Sequence, residues 1–98
     1  MHLIYADFMK TDLEDRLVLT TRGTADDLIR LNLKLETGLR LTFYNHDEDS
    51  EGNRDDLVVE GMVEHDDEND QWVAVIDWSA IKNLSALSPE DRHRLGVG

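Results

Sequence analysis

The stretch LRLTFY, residues 39–44, carries the clearest β signal in the chain, because apolar and polar residues alternate along it. The run LVVEGMVE, residues 57–64, predicts a second strand, in which Gly61 indicates a bulge or a sharp bend. Most of residues 71–78 are apolar, at odd-numbered as well as at even-numbered positions. They therefore predict a third strand that is covered on both faces. A shorter β-branched and apolar run at residues 17–21 predicts a further strand.

Capping residues predict two short helices. Thr24 is a typical N-cap, and the acidic and apolar residues after it predict a helix at about residues 25–31. Ser88, followed by a proline and two acidic residues, predicts a second helix at about residues 89–95. The last residues, 96–98, are expected to be frayed.

Short consecutive strands with one inserted helix predict a single, mainly β domain at residues 1–98. We expect a small β-barrel or a strongly bent antiparallel sheet, with its core at about residues 15–82. The order of elements over residues 38–82 resembles the meander of SH3-like and Tudor-like barrels. The resemblance implies a small barrel, and barrels of the SH3-like type often bind peptides through grouped aromatic residues. The role of residues 1–14 stays open, with residues 3–5 as a candidate edge strand.

Negative charge is concentrated in one third of the chain. Residues 1–44 carry six basic and seven acidic side chains, a net of −1, and residues 78–98 have a net of +1. Residues 45–77 carry thirteen acidic side chains and only Arg54, a net of −12 that equals the formal charge of the whole chain. Such a field repels phosphate backbones and anionic membranes, and it attracts basic protein surfaces. We therefore expect no nucleic-acid or membrane partner, while a charge that serves only solubility or salt adaptation is an alternative.

Composition and motif content narrow the class of protein further. Cysteine is absent, which excludes disulfides, thiolate metal sites and a cysteine nucleophile. The first residues lack both a basic segment and a long apolar stretch, so we expect no signal peptide and a cytoplasmic setting. The sequence contains no nucleophile elbow, phosphate-binding glycine loop, zinc-protease motif or dinucleotide fingerprint, so we expect that the protein is not an enzyme.

The loop at residues 47–55 is similar to part of a calcium-binding loop. Asp47, Asp49 and Glu51 occupy alternate positions before a glycine, and Asp55 falls on the ninth position. Hard oxygen ligands at this spacing can wrap around one calcium ion, and the glycine makes the turn. The twelfth position holds a valine where a calcium loop has a bidentate glutamate. We therefore expect weak calcium binding at most, and no other cofactor.

Three aromatic residues, Tyr44, Trp72 and Trp78, are candidate binding residues together with Glu60 and Glu64. An aromatic ring beside carboxylates can hold a lysine, an arginine or a methylated cation through the quadrupole of the ring. On an uninterrupted strand, Trp72 and Trp78 share one face. These residues predict an aromatic-edged acidic surface.

We therefore expect a non-enzymatic interaction module, a small barrel that presents this surface to a basic protein or peptide. Acidic loops at residues 45–56 and 65–70 flank the strand at residues 57–64, whose length of about 25 Å separates them. This separation favours a broad acidic surface over a single metal site. Because both faces of the strand at residues 71–78 are apolar, a homodimer that covers one of them is an alternative.

Overall fold

Six strands, two α-helices and two 3₁₀ turns make up the computed structural model, which describes residues 3–97. The strands are β1 (Leu3–Tyr5), β2 (Leu17–Val18), β3 (Arg40–Asn45), β4 (Leu57–Asp66), β5 (Gln71–Ile76) and β6 (Lys82–Asn83). The α-helices are α1 (Arg22–Arg30) and α2 (Pro89–Leu95), and the 3₁₀ turns are Trp78–Ala80 and Leu84–Ala86. The fold is mainly β with short helices, which confirms the predicted class.

The strands form one mixed sheet in the order β1-β3-β4-β5-β2, and β6 pairs with the start of β4. β3, β4 and β5 are consecutive antiparallel neighbours, which is the meander that their sequence order predicted. β1 runs parallel to β3, with Leu3 opposite Thr42. β2 pairs antiparallel with β5, with Leu17 opposite Ala74. The first two strands of the chain therefore lie at opposite edges of the sheet.

The sheet is not closed into a barrel, because β1 and β2 form its two edges and do not pair with each other. The barrel closure implied by the likeness to SH3-like and Tudor-like domains is therefore not found in the described part of the chain. The order of elements over residues 38–82 predicted the meander correctly. That order could not predict whether the sheet closes into a barrel, because closure depends on where β1 and β2 pair.

The sequence predicted a bulge or a sharp bend at Gly61, and the bulge is wrong, because Gly61 lies in regular antiparallel pairing. It pairs with Leu41 inside the β3–β4 ladder and with Ile76 in the first pair of the β4–β5 ladder, and no extra residue is inserted in either ladder. A Cβ atom at this position would lie 2.8 Å from Cγ2 of Ile76 and 2.9 Å from Cε2 of Phe43. The glycine is needed because two core side chains pack across the strand at this point and leave room only for a hydrogen atom.

Helix α1 begins three residues earlier than the sequence predicted. Its N-cap is Thr21, whose Oγ1 accepts a hydrogen bond from the N–H of Thr24 at 3.4 Å. Thr24 itself is fully buried, and its hydroxyl donates to the carbonyl oxygen of Tyr5. Thr24 therefore links the helix to β1 through a tertiary hydrogen bond. The sequence pattern predicted an N-cap at this residue instead.

A hydrophobic cluster lies on each face of the sheet. The larger cluster is formed by the N-terminal segment, α1 and the loop after it, which pack on strand residues such as Phe43. The smaller cluster places Leu87 and Leu95, from the region of α2, over Val58. Buried residues extend beyond the predicted core range of 15–82, since Ile4 is fully buried and Leu95 is 6% exposed.

Helix α2 matches its predicted bounds and its predicted cap. Oγ of Ser88 accepts a hydrogen bond from the N–H of Asp91 at 3.1 Å. The helix ends at Gly96, which adopts a left-handed conformation with φ 72. The N–H of Val97 donates back to the last turn of the helix at 2.8 Å. Hydrogen bonds thus hold Gly96 and Val97, where fraying was expected, and Gly98 lies outside the described residues.

Candidate functional site

A cleft of about 1020 Å³ lies between two hairpins at one end of the sheet. One wall is the hairpin at residues 11–18, whose second arm contains β2, and the other is formed by the turn between β4 and β5. The two walls meet because β2 pairs with β5, which places Leu17 opposite Ala74. This pairing joins segments that are 57 positions apart in the chain (74 − 17).

The cleft is strongly acidic. Five carboxylates and one guanidinium line it, so its formal charge is −4 with the histidine neutral. The carboxylates belong to Asp12, Glu14, Asp66, Asp67 and Glu68. Two of them come from the first 44 residues, whose overall charge is nearly balanced. The region formed by residues 11–18 and 65–71 is termed the acidic cleft below.

The carboxylate of Asp12 shapes the first hairpin. Its Oδ1 accepts hydrogen bonds from the N–H groups of Glu14 and Arg16, both at 2.9 Å, and its Oδ2 accepts one from Nε of Arg16 at 2.8 Å. Burial raises the pKa of Asp12, but these hydrogen bonds outweigh it and hold the pKa below the ordinary value of 3.8. Asp15 adopts φ 58, and its carbonyl oxygen accepts a hydrogen bond from Nε1 of Trp78 at 2.8 Å. These contacts fix the hairpin tip.

Arg16 joins the two walls of the cleft. Its side chain is 16% exposed and lies 3.3 Å from the carboxylate of Glu64 and 3.9 Å from that of Asp66. The Asp66 carboxylate also accepts a hydrogen bond from Nδ2 of Asn69 at 2.9 Å. This hydrogen bond, supported by the charge of Arg16, brings the pKa of Asp66 below 3.8. Arg16 thus offsets negative charge at the base of the cleft, whereas Glu68 is exposed at its rim.

His65 lies at the rim between two carboxylates and an indole ring. Its Nδ1 is 2.6 Å from Oδ1 of Asp67, and its Nε2 is 3.3 Å from Oδ1 of Asp70. Its ring centroid is 4.8 Å from that of Trp72, in an edge-to-face arrangement. The hydrogen bond to Asp67, followed by the charges of Asp67 and Asp70, raises the pKa of His65 above 6.5. The positively charged form of His65 is therefore favoured at the rim of the cleft.

Of the three aromatic candidates, Tyr44 lies far along the sheet from the two tryptophans. Trp72 is half-buried in β5, where it packs on the larger cluster and contacts His65. Trp78 is 39% exposed and lies in a 3₁₀ turn, so it does not continue the strand face of Trp72. Tyr44 pairs with Val58, which is seven positions from His65 along β4, or about 23 Å away. The fold therefore brings the two tryptophans towards the cleft hairpins and Tyr44 to the other end of β4.

Tyr44 belongs to a polar and aromatic network of its own. Its hydroxyl donates to Oδ2 of Asp27 at 3.3 Å, and the same oxygen accepts a hydrogen bond from the N–H of Tyr5 at 2.8 Å. Its ring centroid lies 5.5 Å from that of Tyr5 and 5.8 Å from that of His46. Burial, followed by the charge of Asp27, raises the pKa of Tyr44 above 10. Rings that pack against one another in this way are typical of a structural aromatic cluster.

Glu60 and Glu64 lie on the same face of β4, since they are four residues apart on a strand. Each carboxylate is paired with an arginine, at 3.5 Å for Glu60 and 3.3 Å for Glu64. Met62 is half-buried between them, and its partner in β5, Val75, is 40% exposed. This strip of acidic and apolar side chains extends along the sheet from the acidic cleft.

Three of the four carboxylates of the calcium-like loop have separate partners, and the fourth, Glu51, is exposed. Oδ1 of Asp49 accepts two backbone hydrogen bonds within the loop, both at 2.9 Å, and these bonds lower its pKa below 3.8. Asp47 accepts a hydrogen bond from Nδ2 of Asn83 at 2.9 Å, and Asp55 accepts one from the N–H of Ser85 at 3.0 Å. Within residues 3–97, no three histidine, cysteine, aspartate or glutamate side chains are grouped so that they could hold a metal ion.

Sequence reasoning missed the first wall of the cleft. Asp12 lies in the N-terminal segment at residues 1–14, whose role the sequence left open, and Arg16 lies two positions beyond it. Asp12 and Asp15 are of a residue type that is common in turns, and this is the only signal that could have drawn attention to the segment. That signal is local, so it could not reveal that the turn faces the loop after β4.

Comparisons with known proteins give no identity. No protein-family model, curated protein or solved structure matches the chain. Neither α-helix in the described residues has the length and the apolar character that a membrane crossing needs. Function must therefore be inferred from the chemistry of the site itself.

Proposed function

We propose that the chain is a non-enzymatic interaction module whose acidic cleft binds a basic protein or peptide. The observation that carries the proposal is the convergence of five carboxylates from two hairpins on one concave surface. Concave walls of a single charge sign concentrate the field and raise the local concentration of ligands of opposite charge. Lysine and arginine side chains of the partner would therefore be drawn to this surface.

The division of roles among the carboxylates supports this proposal. The inner groups of Asp12 and Asp66 are 12% and 8% exposed, and both accept hydrogen bonds from the protein itself. The rim groups are open to solvent, since Glu14 is 73% exposed and Asp67 is 95% exposed. The inner carboxylates therefore hold the shape of the cleft, and the rim carboxylates are accessible to a partner.

Binding of a synthetic peptide in which lysine alternates with serine tests the proposal. Fluorescence anisotropy would measure its dissociation constant as the salt concentration is raised from low to physiological. We expect the affinity to fall with salt, because exposed charges separated by more than a Debye length of about 8 Å are screened. An affinity that does not change with salt would contradict an electrostatic mode of binding.

A matched pair of variants separates the cleft from the general charge of the protein. The double substitution Glu14→Gln and Glu68→Gln removes two exposed carboxylates of the cleft. The control, Glu48→Gln and Glu51→Gln, removes two exposed carboxylates at the opposite end of β4. Both variants have a formal charge of −10, which is −12 plus two.

We expect the cleft variant to bind the peptide about five-fold more weakly than the unsubstituted protein. Each exposed charge pair contributes roughly 0.5 kcal/mol, and about 1.4 kcal/mol corresponds to a ten-fold change in affinity. The control variant should retain the original affinity. An equal loss in both variants would mean that overall charge, as in a protein adapted for solubility or salt, explains the binding.

A further inference from the structure

We infer that the segment bound by the acidic cleft is amphipathic as well as basic, and that it places an apolar residue on Leu13. This inference rests on the proposed function and specifies the chemistry of its partner. Leu13 is one of the residues that line the cleft, and its exposed fraction is 104%. It is therefore an apolar side chain that is available on a charged binding surface.

The tip that carries Leu13 is held in place before any partner binds. The backbone N–H groups of Glu14 and Arg16, on either side of residue 15, each donate a hydrogen bond to the Asp12 carboxylate. The N–H of Asp12 also donates to the carbonyl oxygen of Arg16 at 3.1 Å, which closes the hairpin. Because the tip is already ordered, a partner that packs on Leu13 loses little affinity to ordering of the backbone.

Position on the cleft distinguishes Leu13 from the other exposed apolar residues. Single exposed leucines are common on protein surfaces and need no explanation by themselves. Met9 is 91% exposed and Ile29 is 79% exposed, but neither lines the cleft. Leu13 stands between Asp12 and Glu14, two of the carboxylates that line the cleft. A partner segment that packs on Leu13 can therefore also reach the exposed carboxylate of Glu14, whereas the Asp12 carboxylate is held by Arg16.

Charge complementarity identifies the occupant as a basic segment. The cleft has a formal charge of −4, so a second copy of the same cleft would bring like charges together. A purely basic segment would satisfy the carboxylates but would leave Leu13 in contact with water. A segment with lysine or arginine beside a leucine-like residue satisfies both features of the surface.

Two peptides of equal charge test the inference. One carries lysines with leucines on one face, and the other carries serines in place of the leucines. We expect the leucine peptide to bind about ten-fold more tightly, because burial of a leucine side chain corresponds to a change of at least that size. Leu13→Gln should abolish this excess, so that the two peptides bind the variant with about equal affinity. Ile29→Gln, on α1, is the matched control and should change neither affinity.

Each outcome has a distinct meaning. Salt-dependent binding of the serine peptide with no excess that depends on Leu13 would overturn the inference and leave the proposed function standing. Failure of both peptides to bind would overturn the proposed function itself. Sedimentation equilibrium of the protein alone would reveal self-association, and a dimer that Leu13→Gln dissociates would assign Leu13 to a second copy instead. Thermal unfolding should show that Leu13→Gln remains folded, since the side chain is wholly exposed.

Discussion

Replacement of Gly61 by alanine would test the packing at the centre of the sheet. The added Cβ atom would lie 2.8 Å from Cγ2 of Ile76 and 2.9 Å from Cε2 of Phe43, where carbon atoms normally approach to about 3.5–4.0 Å. Phe43 is fully buried, so its ring has no open space into which it can move. Overpacking of this kind costs about 1–3 kcal/mol, whereas the lower entropy of the unfolded alanine chain recovers about 0.4–1 kcal/mol.

We therefore expect Gly61→Ala to lower the free energy of unfolding by about 1–2 kcal/mol and the melting temperature by roughly 5–15 °C. Urea denaturation and a thermal melt followed by circular dichroism would measure both quantities. Ile76→Ala removes one of the two atoms in conflict, so the double variant should be less destabilised than the sum of the single variants. An unchanged or raised melting temperature in Gly61→Ala, or strict additivity in the double variant, would refute this account of the glycine.

Two further predictions concern the histidine of the cleft and the calcium-like loop. Because the folded pKa of His65 is raised above 6.5, its stabilising contribution is complete below that pH and is lost as the pH rises through the folded value. The melting temperature should therefore show a decrease from pH 6.5 upward that His65→Gln removes, and an identical pH dependence in the variant would count against the contact with Asp67. Calcium at about millimolar concentration should produce no localised amide shifts at residues 47–55, because the carboxylate of Asp49 already accepts hydrogen bonds from the backbone. Saturable shifts confined to that loop in a two-dimensional NMR titration would show the opposite.

The sequence predicted those strands and helices that depend on patterns within a few neighbouring residues. The strand at residues 39–44 was found because its alternation matches the period of a strand. Helix α2 was found because Ser88 and the proline after it form a cap that needs no distant partner. The start of α1 was misplaced, since Thr24 resembles an N-cap but uses its hydroxyl to bond the carbonyl of Tyr5. A tertiary contact of this kind leaves no mark in the adjacent sequence.

The sequence likewise predicted some residues of the candidate site and missed others. The sequence placed Glu64 and Trp72 among the binding residues, and both contact groups of the acidic cleft. It also grouped Tyr44 with them, although the pairing of β3 with β4 places Tyr44 about 23 Å away. No pattern in the sequence points to Asp12, because the charge of its region is nearly balanced. The acidic character of this region thus follows from the sequence, but the identity of the residues that line the cleft does not.

The sequence by itself determined the mainly β fold class, the position of the C-terminal helix, the absence of cysteine chemistry and the excess of negative charge. Each of these depends on composition or on a short repeat along the chain. Only the tertiary structure decided which acidic residues share a surface, because the pairing of β2 with β5 joins positions 17 and 74. The free energy of such a pairing depends on the packing of the whole sheet, and no local pattern contains it. The acidic cleft is therefore a property of the fold, built from charges that the sequence supplies in two separate segments.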